Sequence, residues 1–164
     1  MLLTLWRHGE AGSAATDEAR ALTARGREEV VAMAQDYAAW AGESALGPIS
    51  LLLHSPYRRT VETAALLGEV LGPGSLKADS SLAPGTHPEA FSESDYAAHE
   101  HIVMVSHQPF VSQAIALWTD DVTLAPLAPG GYSMLEITSL PGVARRCCDI
   151  VPTPAISRAI PKYE

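Results

Sequence analysis

The stretch Leu2-Leu3-Thr4-Leu5-Trp6-Arg7-His8-Gly9-Glu10-Ala11 decides the fold. Leu2, Leu3, Leu5 and Trp6 read as a buried strand, and Arg7, His8 and Glu10 then arrive together around a glycine. In open α/β sheets ligands bind beyond the carboxyl ends of the strands, where loops and helix N-termini supply polar groups that a strand interior lacks. A cation beside an imidazole at such an end points to an anion site.

Two later strands end the same way. Ile49 to Leu53 is a short apolar run of the kind expected for a strand covered on both faces, and it runs into His54-Ser55-Pro56 with Arg58 and Arg59 just beyond. Ile102 to Val105 runs into Ser106-His107. Helical patterns lie between the strands. Thr23 is placed to cap a helix carrying Val30, Ala34, Tyr37 and Ala41 on one face and stopping at Gly42. A second helix is expected from Tyr57 or Arg58 to Leu71, with Val61, Ala64, Ala65, Leu67, Gly68 and Leu71 as its apolar side. A third begins at Pro109 and packs through Phe110, Ala114, Leu117 and Trp118. Ser75 to Ala78 reads as a brief strand and Glu89 to Ala98 as a modest helix, with a loop from Asp79 to Pro88 before it. Tyr132 to Ile137 and Arg145 to Val151 read as two closing strands joined at Pro141-Gly142, and the tail from Pro152 as peripheral. Strands alternating with helices predict an α/β three-layer sandwich, a mainly parallel central sheet with helices on both faces.

The chain has 164 residues, enough for one domain spanning 1–164. With 47% hydrophobic and 18% charged residues it reads as globular, and no apolar run approaches the ~20 residues that cross a bilayer. The N-terminus lacks the basic n-region and small-residue cleavage site of a signal peptide, so a cytoplasmic protein without a membrane partner is expected. Eleven basic against nineteen acidic residues give a net charge of −8, which opposes a nucleic-acid partner. Any phosphate must be held by local cations working against that field. Cys147 and Cys148 are adjacent, which disfavours a disulfide, and two cysteines alone make a poor zinc site.

Parallel strand ends lie on one sheet edge, so Arg7-His8, His54-Ser55 with Arg58 and Arg59, and Ser106-His107 converge on a phosphate pocket holding two histidines. A neutral imidazole is a good nucleophile, and covalent catalysis divides one difficult displacement into two easier ones. His8 is the expected nucleophile, with Arg7 and Arg59 on the equatorial phosphoryl oxygens. His107, if protonated, adds a further positive donor, and Ser55 a hydroxyl. Duller readings stand beside these. A histidine after a strand can be a structural residue, and Arg58 and Arg59 can be solvated. Glu10 can simply cap a turn or orient a neighbour, and His54 can pack beside the pocket. His99 and His101 read as surface residues. His8, Glu10 and His107 could ligate a metal, but the adjacent arginines repel a cation, so neither a metal nor a cofactor is expected.

Arg7-His8-Gly9-Glu10 resembles the signature of the histidine phosphatase superfamily, the phosphoglycerate-mutase-like proteins. Ser55-Pro56-Tyr57-Arg58-Arg59-Thr60-Val61-Glu62-Thr63-Ala64 resembles that family's second motif, whose arginine four residues after the serine binds phosphate, and this register selects Arg59 over Arg58. Ser106-His107-Gln108-Pro109 is similar to the third motif, and Leu22-Thr23-Ala24-Arg25-Gly26 to the family's helix entry. The resemblance implies a phosphatase working through a phosphohistidine, with His8, Arg7, Arg59 and His107 catalytic; Gly9, Ser55, Glu10 and His87 are the candidate substrate-binding residues. In particular, Gly9 is expected to let the backbone pass close to the phosphate.

The short length and the Ser-His-Gln-Pro form resemble the SixA-type branch of phosphohistidine phosphatases. Larger members carry an insertion after the second motif that covers the pocket and brings a glutamate proton donor. Here only Leu76 to His101 stands there, and the loop Leu82 to Glu89 lacks a carboxylate at its start, leaving His87 or Glu89 as candidate donors beside His107 and water. A phosphoramidate leaves as a nitrogen base that is easily protonated and needs less help from an enzyme acid. The expected substrate is therefore a protein phosphohistidine. A small phosphorylated metabolite and a non-catalytic phosphate-recognition module are the alternatives.

Overall fold

The structure, a computed structural model, describes residues 1–91, 96–120, 122–123 and 125–137, together with the backbone of 144–150. The elements follow the sequence order: β1 (Leu2–Arg7), α1 (Ala24–Glu43), β2 (Leu51–His54), α2 (Arg58–Leu71), β3 (Leu76–Ala78), β4 (His101–Ser106), α3 (Phe110–Thr119), β5 (Tyr132–Ile137) and β6 (Ala144–Ile150). They build one six-stranded sheet in the order β3-β2-β4-β1-β5-β6. The β1–β4, β2–β4 and β2–β3 pairs are parallel, whereas β5 joins β1 and β6 joins β5 antiparallel. β4 thus enters between β1 and β2, and the three strands carrying the charged ends become neighbours. Arg7 pairs with Ser106 and His54 with Val105, so His8, Ser55 and His107 leave the sheet at one level.

Alternation of side chains along these strands supplies both faces. Leu3, Leu5, Leu51, Leu53, Ile102 and Met104 pack against α3 through Phe110, Val111, Ala114 and Ile115. Trp6, Leu52, Val103 and Val105 turn the other way, against Val30, Met33, Ala34 and Tyr37 of α1 and Ala64 and Leu67 of α2. This is the expected three-layer sandwich with helices on both faces. Among the described residues no helix is long and apolar enough to cross a membrane.

Thr23 caps α1 as expected, its hydroxyl accepting from the Gly26 N–H at 2.9 Å. Other details differ from expectation. On α2 the buried side is Arg59, Thr60, Thr63, Ala64 and Leu67, while Val61 and Ala65 are exposed. The reason is that this helix begins beside the pocket and turns polar groups inward there. Leu117 of α3 faces solvent, its place taken by Val111 and Ile115. Pro109 is the cap of α3 and Phe110 its first helical residue. Of the helix expected over Glu89 to Ala98, the described residues show the 3-10 turn Pro88–Ala90, and residues 92–95 lie outside the description. The Pro141-Gly142 turn and the tail from Pro152 also lie outside it. His101 is buried, not a surface residue: its Nδ1 bonds the Gly47 carbonyl at 3.1 Å and its Nε2 the Tyr37 hydroxyl at 2.7 Å, which in turn meets Thr4 Oγ1 at 3.0 Å.

The end of β1 crosses the start of α1 at very short range. A Cβ on Gly26 would run into the Glu10 backbone, and one on Gly9 would lie 2.7 Å from Val30 Cγ2. Gly26→Ala is therefore expected to lower stability by about 1–3 kcal/mol, more than the helix-propensity gain of up to about 1 kcal/mol. Urea denaturation checks this, and a variant as stable as the parent would show that the two backbones can separate freely.

Candidate active site

Beyond the sheet edge the polar groups form a connected set. The His8 Nδ1 lies 2.7 Å from the Gly9 carbonyl, which can only accept, so Nδ1 carries the proton. Arg59 Nε then donates to His8 Nε2 at 3.2 Å, so the lone pair sits on Nε2. Both side chains are buried, at 8% and 4% exposure. Burial above all, opposed by the Gly9 bond and reinforced by the cations of Arg59, Arg7 and Arg20, pushes the His8 imidazole down to about 4. At neutral pH it is an uncharged ring whose Nε2 electron pair faces the Arg59 cation.

His107 stands with its ring 5.1 Å from that of His8, edge to face, and its Nε2 bonds the Ser55 hydroxyl at 2.8 Å. Burial, then the proximity of His8 and Arg59, pushes it down to about 3. At neutral pH this ring is therefore uncharged. Arg7 donates through Nη1 to the Leu127 carbonyl at 2.6 Å. Its Nε and the His107 Nδ1 are buried without a hydrogen-bond partner among the described residues. An acceptor-rich phosphoryl group is the kind of ligand that would satisfy such groups.

The other expected site residues divide. Ser55 is fully buried against His107. His54 packs beside the pocket, its Nδ1 on the Ser55 carbonyl at 2.8 Å. Arg58 is solvated and pairs with Glu62, leaving Arg59 as the arginine of the pocket. Gly9 does not offer its polar groups to a substrate: its N–H goes to Thr63 Oγ1 at 3.1 Å and its carbonyl to His8, and its lack of a side chain serves packing against Val30. Glu10 is likewise engaged elsewhere, accepting from the Thr23 hydroxyl at 2.8 Å and orienting the α1 cap. His87 and Glu89 are exposed on the 3-10 turn after β3, and His87 makes no side-chain capping bond there.

Four residues in the set were not singled out from sequence. Asp17 takes Arg59 through both its carbonyl and its carboxylate, and Arg20 takes the other carboxylate oxygen. The Tyr57 ring lies under the Arg59 guanidinium at 5.0 Å and edge-on to His107 at 5.3 Å. Thr63, one helical turn after Arg59, holds Gly9 in place. The one available signal was the pair Asp17 and Arg20, opposite charges three apart in a loop of small residues directly after the charged end of β1.

The model of the histidine phosphatase superfamily, branch 1, matches residues 3–83. No curated protein matches the chain in sequence. Among solved structures, the protein histidine phosphatase SixA complexed with tungstate is 23% identical, covers 93% of this chain and 97% of its own, and superposes with a TM-score of 0.80. A mycobacterial glucosyl-3-phosphoglycerate phosphatase with inorganic phosphate is 17% identical over 93% of this chain and 97% of its own, with a TM-score of 0.65. A further structure, mycobacterial hydrolase 2, is 17% identical over 95% and 93%, with a TM-score of 0.69. At these identities the likeness is one of fold, and the family model carries the assignment. It spans the strand that delivers Arg7 and His8 and the helix that delivers Arg59. It stops short of His107, which the sheet nevertheless returns to the same place; residues 3–83 thus match the histidine phosphatase superfamily, branch 1, on a fold shared with solved phosphatases.

Proposed function

We propose that residues 1–164 form one histidine phosphatase domain that hydrolyses protein phosphohistidine through a covalent intermediate on His8, without a metal. The observation that carries this reading is the pairing of His8 Nδ1 with the Gly9 carbonyl while Arg59 Nε faces Nε2. It leaves one nitrogen, Nε2, with an electron pair beside a fixed cation. In the first step Nε2 attacks phosphorus, the bond from phosphorus to the leaving group breaks, and the leaving group takes a proton. In the second, water attacks the phosphohistidine, the P–N bond breaks, and phosphate departs with His8 neutral again. Arg7 and Arg59 hold the equatorial oxygens, where charge resides throughout the transfer. An arriving phosphoryl anion reverses the balance that keeps His107 neutral, so His107 takes up a proton and donates with the Ser55 hydroxyl beside it.

The leaving group discriminates between substrates. His87 and Glu89, the imidazole and carboxylate offered as donors by this loop, are exposed on their turn. An alkoxide leaving without an enzyme acid is slow, whereas the imidazole of a phosphohistidine is protonated readily. SixA is a protein histidine phosphatase, and the glucosyl-3-phosphoglycerate phosphatase on the same fold acts on a small phosphorylated molecule, so the fold admits both. The test is to compare kcat/KM on a phosphohistidine protein or peptide with a panel of sugar and nucleotide phosphates. Preference for the phosphoramidate is expected. Efficient turnover of alkyl esters with none of phosphohistidine would overturn the substrate assignment, and phosphate binding without any hydrolysis would reduce the protein to a recognition module.

A further inference from the structure

The guanidinium of Arg59 is held at all three nitrogens. Nε donates to His8 Nε2 at 3.2 Å, Nη1 to the Asp17 carbonyl at 2.7 Å and Nη2 to Asp17 Oδ2 at 3.0 Å. The group is planar and rigid, so fixing its two outer nitrogens on one residue sets the direction of the third. Asp17 is itself tied down. Its Oδ1 accepts from Arg20 Nη1 at 3.0 Å, and Arg20 Nε donates to the Gly12 carbonyl at 2.8 Å. The next residue, Glu18, accepts through its carbonyl from the Arg58 N–H at 3.0 Å, which fastens the same loop to the first turn of α2.

We propose that Asp17 is the positioning residue of the phosphate clamp: it grips the far side of Arg59 and thereby aims Nε at the nucleophilic nitrogen of His8 before substrate arrives. This rests on the reading of His8 as nucleophile and Arg59 as clamp. A rival idea is that the Asp17 carboxylate competes with the substrate phosphoryl group for Arg59. The contacts favour positioning for two reasons. The bond to Nη1 comes from the backbone carbonyl, which no side-chain rotation removes. Each outer nitrogen carries two hydrogens, so one on each stays available to a phosphoryl oxygen while Asp17 remains in place. The Tyr57 ring against the guanidinium face restricts the same group from a third side. Asp17 is half-exposed, and an ion pair of that kind adds little to stability, so its substitution acts on the site and leaves the fold intact.

The experiment compares the parent with Asp17→Ala and Asp17→Asn, measuring kcat and KM on p-nitrophenyl phosphate, the Kd of inorganic phosphate by calorimetry, and Tm. Asp17→Ala is expected to lower kcat/KM and weaken phosphate binding by about tenfold. Asp17→Asn, which keeps an oxygen for Nη2, should lose no more than about threefold. Tm should change little in either. Unchanged binding in Asp17→Ala overturns the proposal, as does tighter binding, which would mean that the carboxylate competes with phosphate. Equal losses in the two variants also overturn it, because charge and not the hydrogen bond would then be responsible. If the parent hydrolyses no substrate, the phosphatase reading falls, and the phosphate affinities still decide the role of Asp17.

Discussion

His8→Ala is expected to lower turnover of any phosphoryl substrate by about four orders of magnitude or more and to abolish labelling of the protein by a phosphodonor. The size of the effect follows from the role. The second histidine, His107, is not expected to take over, because its ring stands 5.1 Å from that of His8 and so meets the phosphoryl group from a different position. The variant should still fold, since His8 contributes only a ring at the sheet edge and its bonds to Gly9 and Arg59 are local. Arg59 keeps both of its Asp17 contacts without His8, so inorganic phosphate should still bind. Loss of turnover together with retained phosphate binding identifies a nucleophile. Rapid-quench labelling and a kcat comparison check it, and full activity in the variant would remove the covalent mechanism.

The fold was legible because the strands are short and apolar and each ends abruptly in charge. Leu51 to His54 and His101 to Ser106 are buried at every position, and such runs have no competing reading at that length. Convergence of Arg7, His8, Arg59 and His107 followed from a general property of parallel sheets, and needed only that β4 lie between β1 and β2. What failed to show in the sequence depends on contacts between segments. Gly9 looked like a residue of the phosphate pocket, but the requirement for glycine comes from α1 crossing over it, with Gly26 and Val30 on the far side. Glu10 looked like part of the charged signature, yet its partner is the capping threonine thirteen residues later. His101 sits at the start of a strand where a histidine ordinarily faces water, and only the arrival of Tyr37 from α1 and Gly47 from the following loop gives it a buried partner at each nitrogen. On α2 the apolar pattern pointed to Val61 and Ala65, but the helix is rotated so that Arg59 and Thr63 enter the site. A functional helix start thus overrides the hydrophobic period for one turn.

The second large effect is on stability and has a definite sign. His8 and His107 titrate near 4 and 3 in the folded protein, against about 6.5 in an unfolded chain. Burial lowers His101 as well, opposed by its bond to the Gly47 carbonyl. His8 and His107 are neutral in the fold over this range, so below pH 6.5 the unfolded chain binds protons that the folded one refuses. The stabilisation is fully present above 6.5 and is lost as pH falls towards the folded values. For His8 and His107 together the loss between pH 7 and pH 5 is on the order of 4 kcal/mol, a large share of the roughly 5–15 kcal/mol that holds a domain together. Urea unfolding at pH 7, 6 and 5 should therefore show a steep decline well above the range where carboxylates titrate. His107→Asn removes one of the two contributions and should make the decline visibly shallower, whatever it does to stability at pH 7. A flat profile between pH 7 and 5, or an unaltered slope in the variant, would mean that these imidazoles titrate in the folded protein as they do in the unfolded chain. Burial would then not be what keeps His8 and His107 uncharged, and the pH dependence of turnover would follow an ordinary imidazole.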